Sequence, residues 1–266
     1  MAEDVLRLER RERIAILTLN RSDRLNALSV ELREALVRAC QELRDDDDIW
    51  AVVLTGAGRG FCSGVDLRAP RPDSEQATSR QERLDMYGWV GRQAMAVYRT
   101  LDKPIIAAVN GVAAGAGMSL ALSCDMRVGS ELTRFKTVFI ERSLSPDSGM
   151  SFFLPRLVGY SRACDLIYTS RFVEAEEAYR IGLLDRLVPA DRLLEEAIGL
   201  ARQIAAWPPV AMQAARRTLQ QSMESTLEEQ LRHESFGLLF ARRAPHDVQE
   251  ARDSFLERRP PQFTGQ

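Results

Sequence analysis

Two segments of this chain share one layout. Residues 51–55, AVVLT, form an apolar run that breaks into GAGRGFCSGVD at 56–66. Residues 105–109, IIAAV, break into a loop holding Gly111, Gly115 and Gly117, and the chain resumes as an Ala/Leu-rich stretch, Met118–Cys124. Glycine tolerates positive φ and lets a backbone come close to a ligand. Strands alternating with helices through such turns predict an α/β fold with parallel strands and crossover helices. Two such turns can also aim two backbone N–H groups at one oxygen, as an oxyanion hole requires. Spacing alone leaves a second reading equally open, in which the glycines only make tight strand-to-helix turns.

The rest of the chain can be divided on the same grounds. Residues 5–20 read as two short strands with a turn near Arg10–Glu12. Ser29 is placed to cap a helix over Val30–Arg44, with Leu32, Leu36 and Leu43 on one face. The acidic run Asp45–Asp48 reads as a solvated turn before the strand Trp50–Thr55. Residues 68–80 are polar, contain two prolines and predict a loop, followed by a helix from Glu82 to Leu101. Met126–Gly129 reads as a further short strand. From about Glu174 the pattern is mostly helical: AIGLARQIAAW (197–207) ends before Pro208-Pro209, and a long amphipathic pattern starts near Val210. This gives a core over residues 1–200 and a helical region over 201–266. No repeat of fixed period and no low-complexity segment stands out.

Composition narrows the function classes. A chain of 266 residues can bury a sizeable core, and 45% hydrophobic with 28% charged residues is ordinary for a globular protein. The net charge of −2 gives no reason to expect a nucleic-acid partner. No apolar run approaches the roughly 20 residues of a membrane span. MAEDVLRLER lacks the basic-then-apolar order of a secretory signal. Cys40, Cys62, Cys124 and Cys164 are scattered without a C-x-x-C spacing, which predicts reduced thiols and a cytoplasmic protein. With only His233 and His246 to add, no metal site is expected.

The motifs carry a resemblance when taken in order. FCSGVDL is followed about 40 residues later by KPIIAAVNGVAAGAGMSLALSCD, then by LSPDSGMSFFLPRLVG (144–159) and EAEEAYRIGLLDRLVP (174–189). From RSDRLNALS (21–29) to FLERRPPQF (255–263) the chain resembles the crotonase (enoyl-CoA hydratase/isomerase) family. The resemblance implies an α/β, crotonase-like spiral of ββα units with a helical C-terminal trimerisation region. It implies an acyl-CoA thioester as substrate, with no cofactor beyond the coenzyme A that the substrate carries. It also implies a homotrimer or a hexamer made of two trimers, with residues 201–266 serving oligomerisation and CoA contact. The oxyanion donors would be the backbone N–H groups of Val65 and Ala116, each worth about 10²–10³ in rate. CoA contacts would fall on Arg24, on Ser63 and Asp66 beside the first glycine turn, and on Arg258 and Arg259, often across a subunit boundary. Arginine suits phosphate through its planar donor fork; each of these arginines reads equally well as a solvated surface charge.

The chain also departs from the family pattern. Family hydratases use two glutamates to handle water; Ser119 and Phe139 stand at those positions. A serine hydroxyl is a poor general base unaided, and phenylalanine cannot transfer a proton. Glu141, two residues past Phe139, points in another direction and is no substitute. Asp147 in SPDSGM resembles the single acid of some crotonase isomerases and of 4-chlorobenzoyl-CoA dehalogenase. One carboxylate suffices for double-bond migration, so the expected activity is enoyl-CoA isomerisation with Asp147 as proton shuttle. Phe139, Phe152 or Phe153 beside it would raise its pKa by desolvation. The competing reading makes Asp147 an N-cap, because Pro146-Asp147-Ser148 is a standard helix start. A cap would leave only an acyl-CoA-binding protein, and hydration in an unusual form stands third. Two other chemistries fit poorly. A dinucleotide fingerprint in GAGRGF needs glycine where Phe61 stands. A hydrolase built on Ser119 lacks a base, since both histidines lie more than 100 residues downstream. Cys62 reads as a small buried hydrophobe. Residues 68–80 and the helix from 82 are expected to shape the acyl pocket.

Overall fold

β1 (Leu6–Arg11) and β2 (Ile14–Leu19) form an antiparallel hairpin, and β2 then pairs in parallel with β3 (Ala51–Gly56). The computed structural model describes residues 5–68 and 88–266. After the hairpin, successive strands are dealt alternately to two sheets. β3, β5 (Ile105–Val109) and β7 (Met126–Ser130) enter a large sheet, ordered β1-β2-β3-β5-β7-β10 among the described residues, where β10 is Arg186–Val188. β4 (Gly60–Cys62), β6 (Val112–Ala114) and β8 (Arg134–Lys136) enter a smaller one, closed by β9 (Val173–Glu174). All pairs are parallel except β1 with β2 and β8 with β9. The chain therefore winds as a spiral in which each turn gives one strand to each sheet.

The helices follow this winding. α1 (Val30–Asp45) starts at Ser29, whose Oγ accepts from Leu32 N at 3.2 Å, as its sequence predicts. α2 (Gly88–Met95) runs into a π-helical turn, Ala96–Thr100. α3 (Ala116–Leu122) follows β6. α4 (Met150–Val158), α5 (Tyr160–Thr169) and α6 (Ala175–Arg180) come next, and α6 packs against β8 and β9. α7 (Leu193–Ile204), α8 (Pro209–Ser222), α9 (Leu227–Ala241) and α10 (Pro245–Glu257) complete the chain. The long amphipathic pattern from Val210 is thus three helices. Thr226 separates two of them with a capping box to Glu229, and Pro245 opens the third. The helix expected from Glu82 is described only from Gly88, and residues 69–80 of the expected loop lie outside the described residues.

The central strands of the large sheet are buried on both faces and alternate between two cores. Ala15, Leu17, Val52, Leu54, Ile105 and Ala107 face a core shared with α1, α3, α4 and the small sheet. Ile14, Ile16, Ala51, Val53, Ile106 and Ala108 face a second core closed by Ala197, Ile198 and Ala201 of α7 and by Phe263. The C-terminal segment returns to this second face. Arg13 donates to Phe263 O at 3.0 Å, and Asp247 accepts from Thr264 N at 2.8 Å and Gly265 N at 2.9 Å. Among the described residues, no helix is long and apolar enough to cross a membrane.

Candidate active site

The two glycine turns meet through their main chains. A Cβ on Gly117 would lie 2.1 Å from Cys62 O, and one on Gly64 would lie 2.8 Å from Ala114 O and 3.6 Å from Ala116 N. Only glycine permits this approach, and Gly64 also holds φ at +96°. The turn at Gly64, which leads into Val65, is thereby brought against the start of the helix at Ala116. Leu28 N donates to Gly64 O at 2.7 Å, and Asp66 N donates to Leu28 O at 3.1 Å. In that parallel bridge the Val65 N–H points away from the Leu28 segment, and no acceptor takes it among the described residues. Ala116 is the first residue of α3, two residues earlier than its sequence suggests for a helix from Met118. Its N–H is one of the helix-start donors with no intrahelical acceptor. Gly115 N is already spent on Lys136 O at 2.9 Å.

Ser119 links Asp147 to the helix that begins at Ala116. Ser119, fully buried one turn into α3, donates from Oγ to Asp147 O at 3.3 Å. The cap reading of Asp147 fails here. α4 starts at Met150, its N-cap is Gly149 with φ 86°, and no side chain caps it. The Asp147 carboxylate is free of that duty because two left-handed residues, Ser148 (φ 54°) and Gly149, carry the chain into the helix instead. Its Oδ1 accepts from Ser148 Oγ at 2.8 Å. Ser148 Oγ in turn accepts from Gln93 Nε2 of α2 at 3.1 Å.

Burial pushes the Asp147 pKa up, while the Ser148 hydrogen bond and the charge of Arg33 pull it partly back. The net direction is upward, as its sequence surroundings predict. Phe139 and Phe153 are buried in the same core, and the Phe153 ring lies against Gly149. Burial also holds the Arg33 guanidinium down at about 10, offset by Asp147 and by Cys62. The Cys62 thiol is pushed up to about 12 by burial and donates to Asn26 O at 3.1 Å, which fits its reading as a small buried group.

The two substituted positions are closed to proton chemistry by different means. Phe139 is packed into the core, and Ser119 spends its hydroxyl on the Asp147 carbonyl. Glu141 is exposed and paired with Lys136 at 2.7 Å, away from Asp147. His246 bonds Asp247 and Thr264 near the C-terminus, and His233 lies on α9, so neither serves Ser119.

The candidate CoA residues fall into two groups. Ser63 Oγ donates to Arg24 O at 3.2 Å, and Asp66 follows Val65 directly, so Arg24, Ser63 and Asp66 cluster at the first glycine turn. Asp66 is already paired with Arg21 at 2.8 Å. Arg258 and Arg259 end α10 instead, just before the segment that seats Phe263 on the far face of the large sheet. Arg259 is paired with Glu250 and Glu257, both at 2.6 Å. The structure does not bring these two arginines to the glycine turns of the same chain.

With this arrangement established, the comparisons with known proteins identify its family. The sequence profile described as enoyl-CoA hydratase/isomerase matches residues 9–266. The chain belongs to the enoyl-CoA hydratase/isomerase family. It is 37% identical to a probable enoyl-CoA hydratase of Mycobacterium bovis over 258 residues, covering 96% of this chain and 90% of that one. It is 35% identical to the 1,2-epoxyphenylacetyl-CoA isomerase of Escherichia coli K12 over 259 residues, covering 95% of both. The crystal structure of a probable enoyl-CoA hydratase/isomerase from Mycobacterium abscessus superposes with a TM-score of 0.88 at 35% identity, covering 98% of this chain and 99% of that one. The crotonase-like spiral and the C-terminal helical region are those expected from the motifs.

Arg33, Gln93, Ser148 and Arg21 have no counterpart among the residues singled out from sequence. Arg33 left a signal. It lies on the face of α1 that carries Leu32, Leu36 and Leu43, where an arginine is out of place unless it serves a buried charge. Gln93 and Ser148 left none, because their contact spans 55 residues.

Proposed function

We propose that this member of the enoyl-CoA hydratase/isomerase family moves a carbon–carbon double bond in an enoyl-CoA thioester. The observation that carries the proposal is the position of Asp147: a half-buried carboxylate, not used as a cap, hydrogen-bonded through its carbonyl to the helix that begins at Ala116. The Val65 and Ala116 N–H groups hold the thioester oxygen. Asp147 removes a proton from the carbon beside the carbonyl of a 3-enoyl-CoA. The C–H bond breaks, the O–H bond forms on the carboxylate, and the electron pair moves into a dienolate whose oxygen the two N–H groups stabilise. The protonated carboxyl exchanges with solvent while the dienolate is held and then gives a proton to its far end, leaving the 2-enoyl-CoA. No water enters, which suits a site with Ser119 and Phe139 where hydratases carry glutamates. The name of the Escherichia coli relative, an acyl-CoA isomerase, supports the choice.

The reading extends to the assembly. Arg24, Ser63 and Asp66 line the CoA path in the chain itself. Arg258 and Arg259, remote from the glycine turns of their own chain, reach CoA bound to a neighbouring copy in a homotrimer or hexamer. The region 201–266 supplies that interface, and its exposed Leu231, Phe236, Leu239, Phe255 and Leu256 support this.

The test is incubation with matched 3-enoyl-CoA and 2-enoyl-CoA substrates in D₂O, with deuterium uptake followed by mass spectrometry. Migration and exchange are expected in the wild type, and Asp147→Ala should lower them by about 10²–10⁴-fold. Acyl-CoA binding with no exchange across several chain lengths would sink the isomerase and leave the second reading, a binding protein that keeps the oxyanion turns only to hold the thioester.

A further inference from the structure

We propose that Gln93 and Ser148 form a positioning relay that occupies one oxygen of Asp147 and leaves the other for proton transfer. The inference rests on the reading of Asp147 as the proton shuttle. Its geometry is directional. A serine hydroxyl has one hydrogen; here its oxygen accepts from Gln93 Nε2 at 3.1 Å, so the hydrogen goes to Asp147 Oδ1 at 2.8 Å. Oδ1 is therefore engaged while the carboxylate is charged. Oδ2 has no hydrogen-bond partner among the described residues, so the abstracted proton lands there.

Four features separate this relay from ordinary packing. Gln93 is 1% exposed and Ser148 4%, so both bonds are shielded from water. Gln93 Oε1 is buried without a partner among the described residues, so the amide serves Ser148 and nothing else there. A glutamine half satisfied in the core is a poor choice for stability alone. Ser148 also holds φ at 54°, a region that non-glycine residues rarely adopt and that persists where contacts fix it. Gln93 stands one turn before the π-helical segment Ala96–Thr100, an irregularity that recurs at functional sites.

The other groups facing Asp147 are distinct from the relay. Arg33 reaches it from α1 as a charge, and Ser119 from α3 touches only its carbonyl. Ser148 is the group that donates directly to the carboxylate, so its loss shifts the protonation of Asp147 upward.

The experiment compares wild type, Ser148→Ala, Gln93→Met and Asp147→Asn. It uses a ¹³C NMR titration of the Asp147 carboxyl, the pH profile of kcat/KM for 3-enoyl-CoA isomerisation, and thermal melts. Ser148→Ala is expected to raise the Asp147 midpoint and the acid limb of kcat/KM together by about one pH unit. Gln93→Met is expected to move both in the same direction by less, with kcat falling and KM unchanged. Either folded variant carries the test if the other unfolds. Lower melting temperatures with an unmoved midpoint would make the contacts merely structural and overturn the relay. Activity surviving in Asp147→Asn would instead overturn the shuttle, and with it any catalytic meaning of the relay. The first failure keeps an Asp147-dependent enzyme and the second does not, so the two are distinguishable.

Discussion

Asp147 is held in the fold against its own solvation preference. Its folded pKa lies above the ordinary aspartate value because burial outweighs the Ser148 bond and Arg33. The folded state therefore binds the proton more tightly than the unfolded chain. Stability falls as pH rises through the window between the unfolded and the raised folded pKa, and stays lower above it. Asp147→Asn keeps an acceptor for Ser148 and removes the charge. This variant should melt at a higher temperature than wild type near neutral pH, and the advantage should vanish below the ordinary aspartate range. Melting curves at both ends check this, and an unchanged difference across the range would mean the carboxylate is not strained. The position of Asp147 was legible from SPDSGM, but its freedom from capping was not. Proline, aspartate and serine before an apolar run spell a helix start, and only the left-handed pair at Ser148 and Gly149 delays that start to Met150.

At the scale of elements, the paired strand-and-glycine layout announced the winding, while the second strand of each turn went unread. β4, β6 and β8 have three residues each, too short for a period-two pattern to register. Their place is fixed instead by pairing with partners 22 to 52 residues away. β10 was hidden the same way. Arg186–Val188 lies in a stretch rich in helical residues and becomes a strand by adding to the edge of β7. Arg127 fastens that edge by donating to Leu183 O at 3.0 Å and pairing with Asp185 at 2.8 Å. The close approach of the two glycine turns gives a sharp prediction. Gly117→Ala places a methyl 2.1 Å from a backbone oxygen that cannot swing aside. Overpacking of this kind costs about 1–3 kcal/mol. The variant should show a lower melting temperature and weaker acyl-CoA binding together. A fall in the melt with binding intact would separate the packing of the turns from their use.

The whole molecule ends in helices that leave apolar side chains uncovered. Phe236, Leu238, Leu239, Phe255 and Leu256 are each more than half exposed, a pattern that marks an interaction surface. Light scattering coupled to size exclusion should return three or six chains per particle, and Phe236→Glu should reduce that number. A monomeric wild type would remove the assembly and the cross-subunit role of Arg258 and Arg259. The helical nature of this region was legible from its amphipathic pattern. The return of Phe263 to the far side of the large sheet was not, because its anchors, Arg13, Trp50 and Asp247, are scattered along the sequence.

The meeting of the two glycine turns through main chain alone also bears on how such a protein can change over generations. The proposed oxygen-holding groups at Val65 and Ala116 are peptide N–H groups, so substitutions of those two side chains leave them in place. The proposed site has three positions for an acid: Ser119, Phe139 and Asp147. On that proposal, moving a carboxylate among these positions would alter which proton or water is handled without rebuilding the two turns. A lineage built on this scaffold can exchange one reaction for another by a few codon changes, while the part that would be hardest to reinvent is inherited as backbone.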